Sequence, residues 1–138
     1  MALSFGGRQF KLIDYTTPTS TGSQAITGAG FTPQYALLIL TNLESTDPTF
    51  SISTSTLMGG LSICVIGDEQ WSTAISIQSG ADPSNTATFT GNYAAISPSS
   101  TSAQAGLATL TSFDSDGMTL NWSAVQGTGK KGFILFIE

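Results

Sequence analysis

The sequence predicts an all-β protein, an antiparallel β-sandwich or jelly roll with about eight to ten short strands. Three observations lead to this fold class. Short segments in which apolar and polar residues alternate, or which are apolar throughout, recur roughly every ten residues. Turn residues such as Gly, Pro, Asn and Asp separate these segments. No stretch shows the 3.6-residue period of an amphipathic helix.

The alternating segments define the predicted elements in chain order. Residues 71–79 are the clearest strand, with Trp71 and Ile75 on the face predicted to meet the core. Residues 97–104 are low in complexity and are predicted to be a mobile loop. Residues 57–60 are predicted to be a turn. The segments counted as strands or parts of strands are 8–15, 24–26, 35–40, 50–55, 61–65, 71–79, 86–90, 93–96, 107–113, 118–125 and 131–137.

Two segments, 35–40 (YALLIL) and 131–137 (KGFILFI), stand apart because their apolar runs are continuous. A short continuous apolar run between turn signals is typical of a strand that is covered on both faces. We therefore predict that both strands lie in the middle of the sheets. One face of each should meet the core, and the other should meet a second layer of this chain or another subunit.

Length and composition indicate one domain over residues 1–138, in which residues 1–7 form an N-terminal arm. Only 9% of the residues are charged, whereas 39 of the 138 are Ser or Thr, so hydroxyl groups carry most of the surface polarity. The net charge of −5 argues against nucleic acid or an anionic membrane as a partner. Neither a signal peptide nor an apolar stretch of membrane-spanning length is recognisable, so synthesis in the cytoplasm is expected.

Candidate chemical motifs are few. The chain has no His, and its single Cys64, between Ile63 and Val65, is predicted to be a buried small hydrophobe. Residues 127–131 (GTGKK) lack the first glycine of a phosphate loop and precede a strand. Asp114-Ser115-Asp116-Gly117 fits a hairpin turn better than a calcium loop, which needs further carboxylates. We therefore expect no enzymatic activity, no cofactor and no metal.

Three stretches carry a family resemblance. Residues 19–26 (TSTGSQAI) and 30–37 (GFTPQYAL) are similar to an opening in which a G-F-x-P-x-A turn precedes an apolar strand. Residues 113–120 (FDSDGMTL) resemble an F-D-x-D-G-F-T-L hairpin, with Met118 in place of an aromatic residue. This combination resembles a group of virion proteins of tailed bacteriophages, among them small β-sandwich capsid decoration (cement) proteins. The resemblance covers about a fifth of the chain and rests on structural turns.

The resemblance implies a decoration protein that binds the major capsid protein on the outside of the shell and stabilises the virion. We also expect self-association as a dimer or trimer, because the surface has little charge and two strands are apolar on both faces. The predicted contact residues are Phe5, Gly6, Gly7, Tyr35, Leu38 and Phe136.

A tail-associated module that binds a receptor or a carbohydrate is the alternative function. In that case Tyr93, Trp71 and Trp122 would stack on a sugar. However, Trp71 and Trp122 each lie on the apolar face of a predicted strand, so both are predicted to pack in the core.

Overall fold

The computed structural model describes residues 2–41, 57–79, 85–100, 103–127 and 129–138, and these form two antiparallel sheets packed face to face. The predicted all-β sandwich is therefore confirmed. The strands are β1 (Ala2–Phe5), β2 (Arg8–Thr16), β3 (Gly22–Thr27), β4 (Tyr35–Thr41), β5 (Leu57–Ile66), β6 (Gln70–Ser79), β7 (Asn85–Gly91), β8 (Ala95–Ser100), β9 (Ala103–Asp114), β10 (Gly117–Ala124) and β11 (Lys131–Ile137).

The large sheet has seven strands in the order β1-β2-β11-β4-β5-β6-β7, so that β4 is the middle strand. The small sheet has four strands in the order β3-β10-β9-β8. Every neighbouring pair is antiparallel. The two continuously apolar segments are adjacent strands, β11 and β4, near the centre of the large sheet, as the sequence predicts.

Three local predictions are wrong. Residues 2–5 are not a free arm, because they form β1 and pair with β2 across a turn at Gly6 and Gly7. Residues 57–60 are part of β5 rather than a turn. Residues 97–100 belong to β8 and residues 103–104 to β9, so Ser- and Thr-rich sequence forms strands here because hydroxyl side chains suit a sheet surface. The predicted strand at residues 50–55 lies outside the described residues.

The core lies between the two sheets. From the large sheet, Leu38, Ile134 and Phe136 contribute fully buried side chains. From the small sheet, Met118, Leu120 and Trp122 do the same, which confirms the predicted core face of β10. Successive residues of β10 therefore alternate between the core and the outer face, as predicted, and Thr119, Asn121 and Ser123 point away from the core.

A hydrogen-bonded cluster satisfies the polar groups that the core includes. The Oε1 atom of Gln24 accepts from the hydroxyl of Tyr15 at 2.6 Å and from Nε1 of Trp122 at 3.0 Å. Nε2 of Gln24 donates to the carbonyl oxygen of Thr16 at 3.2 Å. Burial raises the pKa of the Tyr15 hydroxyl. A side-chain hydrogen bond with Trp122 lowers this pKa, but by less than burial raises it. These bonds connect β2 of the large sheet with β3 and β10 of the small sheet, and so fix the position of one sheet relative to the other.

Candidate interaction surface

The outer face of the large sheet, which is turned away from the small sheet, is the most unusual surface of the molecule. Strand registers place one side chain from each of five adjacent strands in a single row across this face. The row consists of Leu12, Leu135, Leu37, Val65 and Trp71. A second row runs beside it and contains Phe133, Ile39 and Ile63. The apolar surface is therefore two rows deep across three adjacent strands, β11, β4 and β5, and one row deep across β2 and β6.

The exposure of these side chains is large. Among the described residues, all seven large hydrophobic side chains that are exposed lie on this face: Leu12, Tyr35, Ile63, Val65, Trp71, Ile75 and Phe133. Leu12 is 55% exposed and Trp71 is 50% exposed. Together the seven leave on the order of 700 Å² in contact with water, which exceeds the roughly 300–600 Å² of the largest patch on a typical monomer.

The small sheet provides an internal comparison. On β10 and β3, the side chains of its outer face are polar or small: Asn121 and Ser123 on β10, and Ser23, Ala25 and Thr27 on β3. Both outer faces belong to the same domain and have the same strand geometry. The apolar character is thus specific to the large sheet and is not a general property of this composition.

The prediction that Trp71 and Ile75 face the core is wrong. Ser72 and Ala74 occupy the core face of β6 instead, and both are fully buried. The reason is steric: β8 packs against β6 at this end of the sandwich, where small side chains allow the two sheets to approach closely. The bulky residues of β6 are consequently turned outward.

The predicted contact residues divide into two groups. Leu38 and Phe136 are fully buried, so their assignment to a contact surface is wrong. Their sequence neighbours Leu37 and Leu135 face outward, because successive residues of a strand alternate between its faces. Tyr35 is 43% exposed and lies on the outer face. The continuous apolar run in the sequence indicated that this face would be apolar. It did not indicate which alternate residues would point outward.

The remaining predicted contact residues, Phe5, Gly6 and Gly7, lie at the edge of the large sheet. Gly6 and Gly7 are exposed and adopt positive φ angles of 61° and 86°, and Phe5 is the last residue of β1. This turn joins β1 to β2. Because β1 ends the strand order of the large sheet, the turn lies at the corner of an edge strand.

A shallow cleft of about 390 Å³ opens at the start of β6. It is lined by Asp68, Glu69, Gln70, Trp71 and Asn92. The side chain of Gln70 is turned toward the small sheet, where its Oε1 atom accepts from the backbone N–H of Leu110 at 2.8 Å. Asp68 and Glu69 are exposed, so the cleft combines one indole face with acidic side chains at the corner of the outer face.

The predicted hairpin turn at Asp114–Gly117 is confirmed, and its carboxylates are engaged by protein donors. Asp116 accepts from the backbone N–H of Gly30 at 2.6 Å and from that of Gly28 at 3.1 Å. The hydroxyls of Thr119 and Ser112 donate to Asp114 and lower its pKa below the ordinary value. Both carboxylates therefore accept hydrogen bonds that hold these turns in place.

In the segment between β10 and β11, the backbone of Lys130 is paired with Thr17. The backbone N–H of Lys130 donates to Oγ1 of Thr17 at 2.8 Å, and the N–H of Thr17 donates to the Lys130 carbonyl at 2.9 Å. Lys130 is itself buried. This reciprocal pairing with Thr17 fixes the chain as it enters β11, and it directs the backbone N–H of Lys130 at protein.

Cys64 is fully buried on the core face of β5, as predicted. Burial raises the pKa of its thiol to about 11, although hydrogen bonds with Ile96, Ser62 and Ser72 oppose part of this shift. Beside it, the hydroxyl of Ser62 donates to the carbonyl oxygen of Ile96. Cys64 therefore behaves as a small packing residue and not as a nucleophile.

Comparison of the chain with protein-family models, with curated proteins and with solved structures finds no match. In the part of the chain that the structure describes, His, Cys, Asp and Glu do not gather in groups of three or more that could hold a metal ion. The same residues include no helix with the length and hydropathy needed to cross a membrane. What the protein does is therefore inferred from its surfaces.

Proposed function

We propose that this chain is a bacteriophage virion protein, a capsid decoration protein that binds the outside of the major capsid shell as an oligomer and stabilises it. The observation that carries the proposal is the outer face of the large sheet. On the order of 700 Å² of apolar side-chain surface is worth roughly 15 kcal/mol of gross stabilisation once it is covered, before the cost of association. A protein with such a face is suited to a permanent assembly.

The chemistry of the rest of the molecule fits the same role. A shell protein is required to be stable and to make contacts, and the polar groups described above are used to fix turns and sheet register. The net charge of −5 favours the outside of a particle, because packaged nucleic acid would repel an acidic protein on the inside.

The contact with the shell is proposed to involve the corner formed by β1 and the Gly6–Gly7 turn. β1 ends the strand order of the large sheet, and an edge strand can accept a further strand through its backbone groups. A glycine turn allows close approach of another backbone because it has no side chains. Among the described residues, leaving out the immediate chain neighbours, no atom lies within 4 Å of the position that a Cβ atom would occupy at Gly6 or Gly7.

The test is to add purified protein to shells assembled from the major capsid protein of the same genome. We expect it to sediment with the shells and to raise the temperature at which filled particles release DNA. A chain that lacks residues 2–6 should lose binding, whereas the control Asn121→Lys, on the outer face of the small sheet, should bind normally. Failure of the intact protein to bind any shell would exclude a decoration role.

A second candidate function, a tail-associated module that binds carbohydrate, is favoured by the cleft at Trp71. Exposed indole rings stack on sugar rings, and neighbouring carboxylate and amide groups can accept and donate hydrogen bonds to hydroxyls. Binding to a glycan array that is lost in Asp68→Ala and Asn92→Ala, together with location at the tail, would favour this function over the first.

A further inference from the structure

We infer that the outer face of the large sheet is covered by a second copy of this chain, related by a twofold axis that runs along β4. The inference rests on the proposed function for its premise that protein covers this face, and it names the partner. In the dimer the two large sheets would stack face to face as in a β-sandwich, with their central strands aligned.

The strand order supports this symmetry. With β4 in the middle of seven strands, a twofold axis along β4 places β2 over the partner copy's β6 and β11 over its β5. In the central row, Leu12 then meets Trp71 and Leu135 meets Val65, each contact occurring twice. Leu37 lies on the axis. The two most exposed hydrophobic side chains, Leu12 and Trp71, would thereby cover each other.

The charges at the rim are complementary under the same operation. Arg8 is exposed at the start of β2, at one side of the outer face. It lies on the same face of β2 as Leu12, because an even number of positions separates the two residues. Asp68 and Glu69 are exposed at the start of β6, at the opposite side and the same end. Rotation about β4 brings Arg8 of each copy toward the acidic corner of the other. A favourable contact of opposite charges therefore forms at two places.

The other possible in-plane axis, perpendicular to the strands, fits less well. It would place each strand over its own copy with the ends reversed. The acidic corner at Asp68 and Glu69 would then meet the far end of β5 and β6, near Ile75, an exposed apolar side chain. Carboxylates held against an apolar surface lose hydration without gaining a partner. The axis along β4 spares Asp68 and Glu69 this cost, and it places the exposed Asp14 of β2 opposite Thr73 of the second copy, whose hydroxyl can donate to the carboxylate.

The available area is also sufficient. The exposed apolar side chains supply on the order of 700 Å² from each copy, near the ~800 Å² that each partner contributes to a standard-size protein interface. The partly buried Leu37, Ile39 and Leu135 add to that area. One face thus provides enough surface for a stable dimer without involving the small sheet or the β1 edge.

The dimer can be tested by sedimentation equilibrium on the full chain. Val65→Lys places a charge in the central row and should weaken dimerisation by about a hundredfold. Arg8→Glu and Glu69→Arg should each weaken it by about tenfold, and the double variant that carries both should recover to within about threefold of the original protein. Asn121→Lys is the matched control and should not change the dissociation constant.

Cross-linking tests the arrangement itself. A mixture of Arg8→Cys and Glu69→Cys chains should form a covalent dimer with a short bismaleimide, whereas either variant alone should not, because the axis separates each position from its own copy. The buried Cys64 should not react in the folded protein. Cross-linking of Arg8→Cys with itself, or failure of the double charge variant to recover, would overturn the arrangement.

The outcome is separable from that of the proposed function. A chain that is monomeric in sedimentation at all accessible concentrations overturns the dimer, even if it binds shells. A chain that dimerises as described but binds no shell leaves the dimer intact and overturns the decoration role. Glycan binding that is lost in Val65→Lys would indicate that sugar rather than a second copy occupies the face, and would also overturn the dimer.

Discussion

Trp122 shows how a single residue joins the two layers of this sandwich. Its ring is buried in the core, and its Nε1 atom reaches Gln24, which also accepts from Tyr15 on the opposite sheet. The side chain therefore contributes both apolar packing and a hydrogen bond that satisfies a polar group inside the core. Removing the ring should affect both contributions.

We predict that Trp122→Ala lowers the free energy of unfolding by about 3–5 kcal/mol, because it leaves a large cavity. Trp122→Phe should cost less, about 1–3 kcal/mol, since it keeps most of the packing but loses the bond to Gln24. Urea denaturation followed by circular dichroism measures both. Asn121→Ala, the exposed neighbour on β10, is the control and should change stability by less than about 0.5 kcal/mol. Equal losses for Asn121→Ala and Trp122→Ala would contradict this account of the core.

Cys64 gives a prediction about alkaline pH. Its folded pKa is raised to about 11 by burial, whereas an unfolded thiol has a pKa of about 8.5. The stability linked to this protonation is fully present below about pH 8.5 and is lost as the pH rises toward about 11. The urea midpoint should fall across this range, and the slope should be smaller in Cys64→Ala. At pH 8 a thiol reagent should label the protein only after unfolding. Rapid labelling of the native protein would show that Cys64 is accessible.

At the scale of elements, the two halves of the family resemblance contact each other. The turn at residues 28–33 precedes β4, and the hairpin at Asp114–Gly117 joins β9 to β10. Asp116 accepts from the amides of Gly28 and Gly30, and the N–H of Ala29 donates to the Asp116 carbonyl at 3.1 Å. Two segments that are distant in the chain thus hold each other in place through these hydrogen bonds.

A glycine is required at position 117, because a residue with a Cβ atom does not fit there. It pairs with Thr27 at φ 151°, and a Cβ atom would lie 1.9 Å from the carbonyl oxygen of Ile26. The hairpin therefore approaches β3 more closely than a side chain would allow. This close approach is what brings the Asp116 carboxylate within reach of the glycine amides.

We predict that Asp116→Ala destabilises the protein by about 1–2 kcal/mol, because two backbone donors lose their charged acceptor. Asp116→Asn keeps one acceptor oxygen and should lie between the alanine variant and the original protein. Hydrogen exchange should show faster exchange at Gly28 and Gly30 in Asp116→Ala, while Ser115→Ala, the exposed neighbour, leaves these rates unchanged. An unchanged exchange rate at Gly30 would mean that the bond does not protect this turn.

The same elements show how far sequence reasoning extends. Alternation and turn residues predicted most of the strands, including β2, β4, β6, β10 and β11, because period-two patterning reflects a local property of the backbone. The face that β6 buries was not predictable in this way. Small residues fill the core side of β6 because β8 lies close to it, and the approach of two sheets is set by the whole fold. The outer face followed the same rule: sequence indicated strands apolar on both sides, but not which side would remain uncovered.

At the scale of the whole molecule, polarity is divided between the two outer surfaces. The small sheet presents Asn121, Ser123 and other polar residues to water, whereas the large sheet presents the rows that centre on Leu37. A domain with one polar and one apolar outer face has a defined orientation in any assembly. In the proposed assembly the apolar face is directed at protein and the polar face at solvent.

The last prediction uses Trp71 as a reporter of that assembly. In Trp122→Phe, Trp71 is the remaining indole of the two in the chain and is 50% exposed in a single subunit. At low concentration its emission should resemble that of a water-exposed indole and should be quenched readily by acrylamide. As concentration rises through the dimer dissociation constant, Leu12 of the second copy covers the ring, so emission should shift to shorter wavelength and quenching should decrease.

Adding Val65→Lys to that background provides the control. The added charge should keep the spectrum of Trp71 at the water-exposed position at every concentration, because the central row can no longer be covered without burying a lysine. Adding Asn121→Lys instead should leave the concentration dependence as it was. If Trp71 emission does not change with concentration although sedimentation detects dimers, the subunits associate through a surface other than the outer face of the large sheet.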